Sequence, residues 1–225
     1  MGVKIDSYCG LVCETCEFRE TMNCGGCIAT GGKPFHGHCD VAACAVEKKR
    51  AFCGDCAEFP CETLKAYSFD PVHGDDGARI ENVRRQKAAK VAEARAGIDP
   101  VGVCGHHCDH CFLGQWCGGC RSDYDCCSFA GVCAGGKCPN KTCAAEKGLS
   151  GGYACPELDN CAKGYFGAED GYTAKAASTF MRECGKQALG NALDVIRQNG
   201  MDDTNALRQT GSFDAAMKLL RDQLK

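Results

Sequence analysis

Long apolar runs are missing from this chain. No stretch approaches the length of a membrane-spanning helix, so no membrane segment is expected. The opening MGVKIDSYCG has neither the apolar core nor the cleavage pattern of a secretory signal, and the expectation is a cytoplasmic protein. Charge of one sign is also missing. The 29 acidic residues nearly balance the 26 basic ones, leaving a net charge of −3, which argues against a nucleic acid as the main partner and leaves an unidentified protein partner open. The one basic run, from Arg79 to Arg95, reads as a solvated helix face. No Ser/His/Asp set, phosphate loop or paired-carboxylate signature is present, which argues against an enzyme. Large apolar side chains are sparse where the cysteines concentrate. Such glycine-rich segments bury too little to fold on hydrophobicity alone, and need cross-links or metal.

Cysteine and glycine are what the chain has in quantity, 23 and 29 of 225 residues. The densest stretch reads CGLVCETCEFRETMNCGGCIATGGKPFHGHCDVAACAVEKKRAFCGDCAEFPC. It places thiols at Cys9, Cys13, Cys16, Cys24, Cys27, Cys39, Cys44, Cys53, Cys56 and Cys61. A two-residue gap between cysteines lets a tight turn aim both sulfurs at one ion, the usual signature of zinc or iron–sulfur ligation.

The pattern occurs twice. Cys9, Cys13 and Cys16 map with unchanged spacing onto Cys104, Cys108 and Cys111. Cys24 and Cys27 map onto Cys117 and Cys120, and Cys39 and Cys44 onto Cys138 and Cys143. Cys56 answers Cys155, and Cys61 answers Cys161 with one residue slipped. The order implies a tandem duplication. Two domains are expected, residues 1–99 and 100–225, each a small metal-stapled lobe of irregular and helical structure followed by helix, with little sheet. Cys53 has no thiol equivalent in the second copy, where Cys126, Cys127 and Cys133 are extra; Cys133 is the favoured substitute ligand. The histidines His36, His38, His106, His107 and His110 do not align between copies and read as exposed loop imidazoles.

Disulfides are the competing explanation for so many thiols. The absent signal, the odd cysteine total and the C-x-x-C clustering favour metal in a reducing compartment. Zinc is the first reading, with glycine beside the thiols in CGGC and CGDC suiting zinc knuckles. One division assigns Cys13, Cys16, Cys24 and Cys27 to one site and Cys44, Cys53, Cys56 and Cys61 to another, with Cys9 and Cys39 free to join either. The second reading is a 4Fe-4S electron-transfer protein. C-x3-C-x2-C at Cys9, Cys13 and Cys16 looks like the cluster motif of radical S-adenosylmethionine enzymes, although the chain shows no strand–helix series able to form their barrel. The third is a metallochaperone or redox enzyme with an exchangeable thiol among Cys126, Cys127 and Cys133, or a thiolate activated by His106.

Helices are expected over Val41–Phe52, Glu62–Tyr67, Ala78–Ala96 and Tyr172–Gln198. Ser212 reads as the N-cap of a last helix with a stripe of Phe213, Met217, Leu220 and Leu224. Cys184 falls on the apolar stripe of the long helix and reads as a core thiol.

The run YCGLVCETC, then CGGC, CAVEKK and FCGDCAEFPCETL resembles the cysteine-rich family known as domain of unknown function 3795. ENVRRQ lies where that family carries a charged helix, and YTAKAASTFMRECGKQAL is similar to a helix of some members. The resemblance implies a prokaryotic protein and a metal-binding module. It implies no reaction.

Overall fold

The protein is described by a computed structural model covering residues 4–111, 114, 117–122, 124, 137–201 and 203–224. The chain divides into two compact units, Met1–Glu93 and Ala94–Lys225. The described residues are mainly helical. They contain no sheet beyond a single antiparallel bridge, Val101 to His107.

In the first unit a short helix, α1 (Phe18–Thr21), precedes α2 (Asp40–Glu47), α3 (Glu62–Ser68) and the long α4 (Ala78–Arg95). Helix α2 begins directly after Cys39 and is shorter than the pattern predicts. Lys49 takes a positive φ of 52°, and the Arg50 N–H turns back to Ala45 O at 2.8 Å, which closes the helix. Helix α4 is anchored by Asp75. Its carboxylate accepts from Ser68 Oγ at 2.7 Å, Arg79 Nε at 2.7 Å and Arg79 N–H at 3.2 Å. Arg79 and Lys87 are buried, and Lys87 and Lys90 stand 3.8 and 3.2 Å from Asp55. The basic run is therefore not simply a solvated face, because two of its cations are drawn inward by carboxylates. The core of this unit joins Val41, Ala42, Leu64 and Ile80 to Cys27 and Cys39, with Cys9, Cys53 and Cys61 packed at its edge. Sulfur thus occupies positions that aliphatic side chains fill in most cores.

The second unit continues with α5 (Pro139–Glu146), α6 (Gly171–Cys184), α7 (Lys186–Gln198), α8 (Asp203–Gln209) and α9 (Phe213–Asp222). The sequence predicts one helix over Tyr172–Gln198; two are found. Gly185, with φ of 90°, reverses the chain so that α6 and α7 pack on each other and on α9. This break also explains why Cys184 is exposed rather than a core thiol: the helix ends under it. Phe180, Leu189, Leu193, Ile196, Leu207, Met217 and Leu220 form a conventional apolar core. Ser212 caps α9 as expected, its Oγ accepting from the Ala215 N–H at 3.3 Å.

Candidate metal centre

In the first unit, Cys13 opens a 3-10 turn, Cys13–Thr15, closed by the Cys16 N–H on Cys13 O at 3.3 Å. The Tyr8 N–H donates to Cys27 Sγ at 3.4 Å. Gly10 lies against α4 so closely that a Cβ there would collide with Arg79 O and Val83, and its carbonyl accepts from Asn82 Nδ2 at 2.6 Å. A second 3-10 turn, Cys53–Asp55, is tied to the first segment by the Cys53 N–H on Tyr8 O at 2.8 Å. Cys44 from α2, Cys53 and Cys56 from this turn, and Cys61 at the start of α3 line one pocket, whose void is about 30 Å³. Its walls include Val41, Ala45, Phe59 and Leu64, and Lys48 and Arg50 stand at its edge.

The electrostatics group the thiols. Burial pushes Cys13 up to about 11, helped by negative charge at Cys27, Asp6, Cys9 and Cys16. Burial pushes Cys53 up to about 12, helped by Cys9, Cys61, Cys56 and Cys44. Cys9 is therefore felt by both groups, and it, rather than Cys24, is prominent beside Cys13. Thiols crowded in this way hold their protons at neutral pH unless a cation displaces them.

The second unit repeats several of these contacts. The turn Cys108–His110 is closed by the Cys111 N–H on Cys108 O at 3.3 Å. The Val103 N–H donates to Cys120 Sγ at 3.1 Å, and Gly105 lies against α6, where a Cβ would strike Ser178 Oγ. The Leu149 N–H returns to Ala144 O at 2.8 Å, and the Gly152 N–H donates to Val103 O at 2.8 Å. Burial pushes Cys108 up to about 12, with Cys120, Cys117 and Cys111 adding to it. Burial also raises Cys104 and Cys120. Cys143, Cys155 and Cys161 line a pocket between α5 and the turn Gly152–Ala154.

Three histidines depart from the expectation of exposed imidazoles. His107 and His110 are buried, with their Nδ1 atoms 3.0 Å apart, and His110 Nε2 reaches Asp194 Oδ1 at 2.8 Å. Burial takes His106 down to about 4, and its enclosed Nε2 has no hydrogen-bond partner. For His107 and His110 the cause is α7, which covers their turn; His106 instead packs its ring edge-on against Tyr165. His36 and His38 are exposed, as expected. Sequence spacing gave no signal for the pairing with Asp194, which is remote in the chain.

No disulfide joins any two of the described cysteines. Among the described residues, no three His, Cys, Asp or Glu side chains converge closely enough to grip an ion as they stand. Cys126, Cys127 and Cys133 lie outside the described residues, and no described helix is long and apolar enough to cross a membrane.

Residues 5–66 match the model of a family described as a protein of unknown function (DUF3795); this segment holds every thiol of the first lobe. No curated protein and no solved structure matches the chain.

Proposed function

We propose that this is a metal-binding protein in which two tandem cysteine-rich lobes hold structural zinc through thiolates, and that it serves as a cytoplasmic interaction or regulatory module. The carrying observation is the pocket of Cys44, Cys53, Cys56 and Cys61. Four sulfurs from two helices and a turn face one small void with apolar walls. A closed all-sulfur set suits structural zinc. Cys9, Cys13, Cys16 and Cys27 form the second candidate set of that lobe, and the Tyr8 N–H on Cys27 Sγ is the kind of outer contact that steadies a thiolate ligand. Gripping an ion requires side-chain rotation to bring the sulfurs together. Zinc supplies charge compensation and cross-linking there, and no reaction is assigned to it.

The paired bonds support a duplication, with Cys104, Cys108, Cys111 and Cys120 as counterparts of the second set. Cys24, Cys39, Cys117 and Cys138 remain reserve donors. The lobe whose core is partly sulfur has the most to gain, since a structural zinc contributes about 10–16 kcal/mol of apparent folding free energy.

Elemental analysis and a visible spectrum of the full chain, purified without oxygen, test the reading. Colourless protein with stoichiometric zinc is expected. Brown protein carrying iron and sulfide would replace zinc with the iron–sulfur alternative, and metal-free folded protein would overturn both.

A further inference from the structure

The two pockets built on α2 and α5 share their scaffold, but differ at one vertex. In the first, the turn begins with Cys53 and supplies a fourth sulfur. In the second it begins with Gly152. The missing thiol is not an open hole. A Cβ on Gly152 would collide with the ring of Phe166, and that ring is buried, packed with Leu158 and Ala174. Among the described residues, the second pocket is thus bounded by three sulfurs and an aromatic wall where the first has a fourth sulfur.

Cations also stand beside the sulfurs of the second pocket. Lys163 Nζ lies 3.5 Å from Cys143 Sγ, and Lys147 Nζ lies 3.9 Å from Cys155 Sγ. Lys147 also pairs with Glu157, as Lys48 does with Glu58 in the first pocket. Lys163 lines the second pocket where the first has Thr63, and the first has Arg50 where the second has Leu149, so each pocket carries two cations but places them differently.

We propose that Cys143, Cys155 and Cys161 form a three-sulfur site for a soft ion, Cu(I) being the physiological example, instead of a zinc site. Resting on the metal-binding reading of the chain, this names a different ion for this pocket. Zinc prefers four ligands in a closed site, and Phe166 takes the space of the fourth. Soft thiolates select Cu(I), which is content with three. Three thiolates around a monovalent ion leave net negative charge in a largely apolar pocket, a costly arrangement unless cations stand beside it. The lysine ammoniums are placed to offset it.

The full chain is loaded with zinc, its zinc content is measured, and one equivalent of Cu(I) is added without oxygen. Copper uptake with no zinc released is expected, with a three-sulfur shell in X-ray absorption at the copper edge. Cys155→Ser should keep its zinc content, but release zinc when copper is added. One-for-one zinc release from the unaltered chain, a copper shell of other than three sulfurs, or a lower zinc content in Cys155→Ser before copper is added would overturn the proposal. The absorption measurement needs no variant, so a misfolded mutant leaves it decisive. An absence of zinc before copper is added would instead refute the zinc reading, and the copper shell would still be read.

Discussion

Gly10 and Gly105 do the same work at two places in the chain. Each sits at positive φ with a helix backbone or side chain where its Cβ would be. Gly10→Ala and Gly105→Ala should each cost about 3 kcal/mol, from left-handed strain and overpacking together, measured by urea unfolding. A cost within error at either would show that the close approach is not needed. Asp75 is a second residue whose role is local. Burial alone would raise its carboxyl pKa, but Ser68 and Arg79 outweigh it and hold the carboxyl below its ordinary value. Its contribution is present above the unfolded carboxylate range, near 3.9, and is lost as pH falls through the depressed value. Asp75→Ala leaves the buried Arg79 without its carboxylate and should destabilise the first unit by about 3 kcal/mol at neutral pH, with the difference from wild type shrinking in acid. Neither glycine nor Asp75 stands out in sequence, because what marks them is a neighbour remote in the chain. The same is true of Phe166: the missing thiol opposite Cys53 could be read from the repeat, but not the ring that takes its space.

At the scale of elements, helices with strong local signals were legible. The Ser212 cap and the stripe of Phe213, Met217, Leu220 and Leu224 predict α9, of which Met217 and Leu220 are buried and Phe213 and Leu224 exposed; Ser212→Ala should cost about 1 kcal/mol, seen as a small fall in thermal midpoint. The charged α4 was legible from its valines and its glycine and proline boundary. Elements were misread where a single residue overrides periodicity. The apolar pattern runs through Gly185 unbroken, yet the left-handed turn there makes two helices and exposes Cys184. Lys49 likewise stops α2 although Arg50 and Phe52 continue the segment. Helix α8 carries Ala206 and Leu207 into the core, but is too short to declare itself by period. The histidine turn at Cys108–His110 was misread because its cover, α7, comes from the far end of the chain.

Over the whole molecule the two units differ in what holds them. The second has an apolar core of aliphatic and aromatic side chains over α6, α7, α8 and α9. The first relies on a small core in which thiols are a large share. Two unfolding transitions are therefore expected. Leu193→Ala should lower by about 3 kcal/mol the one that does not depend on metal, and leave the other in place. The ordered thiol pattern of the first lobe was legible from spacing, and the division that grouped Cys44, Cys53, Cys56 and Cys61 agrees with the pocket they line, although spacing did not fix that division. The place of Cys9 between groups was not legible, because spacing does not say which turns meet.

The most direct test follows near-ultraviolet dichroism and zinc release together while the full chain is titrated with a strong chelator at neutral pH. Tyr8, Phe52, Phe59 and Tyr67 of the first unit lie among or beside its thiols and report on its packing. The account predicts that their signal falls in step with zinc release, while far-ultraviolet helicity from the second unit's helices largely persists. Complete zinc removal with an unchanged near-ultraviolet spectrum would contradict it.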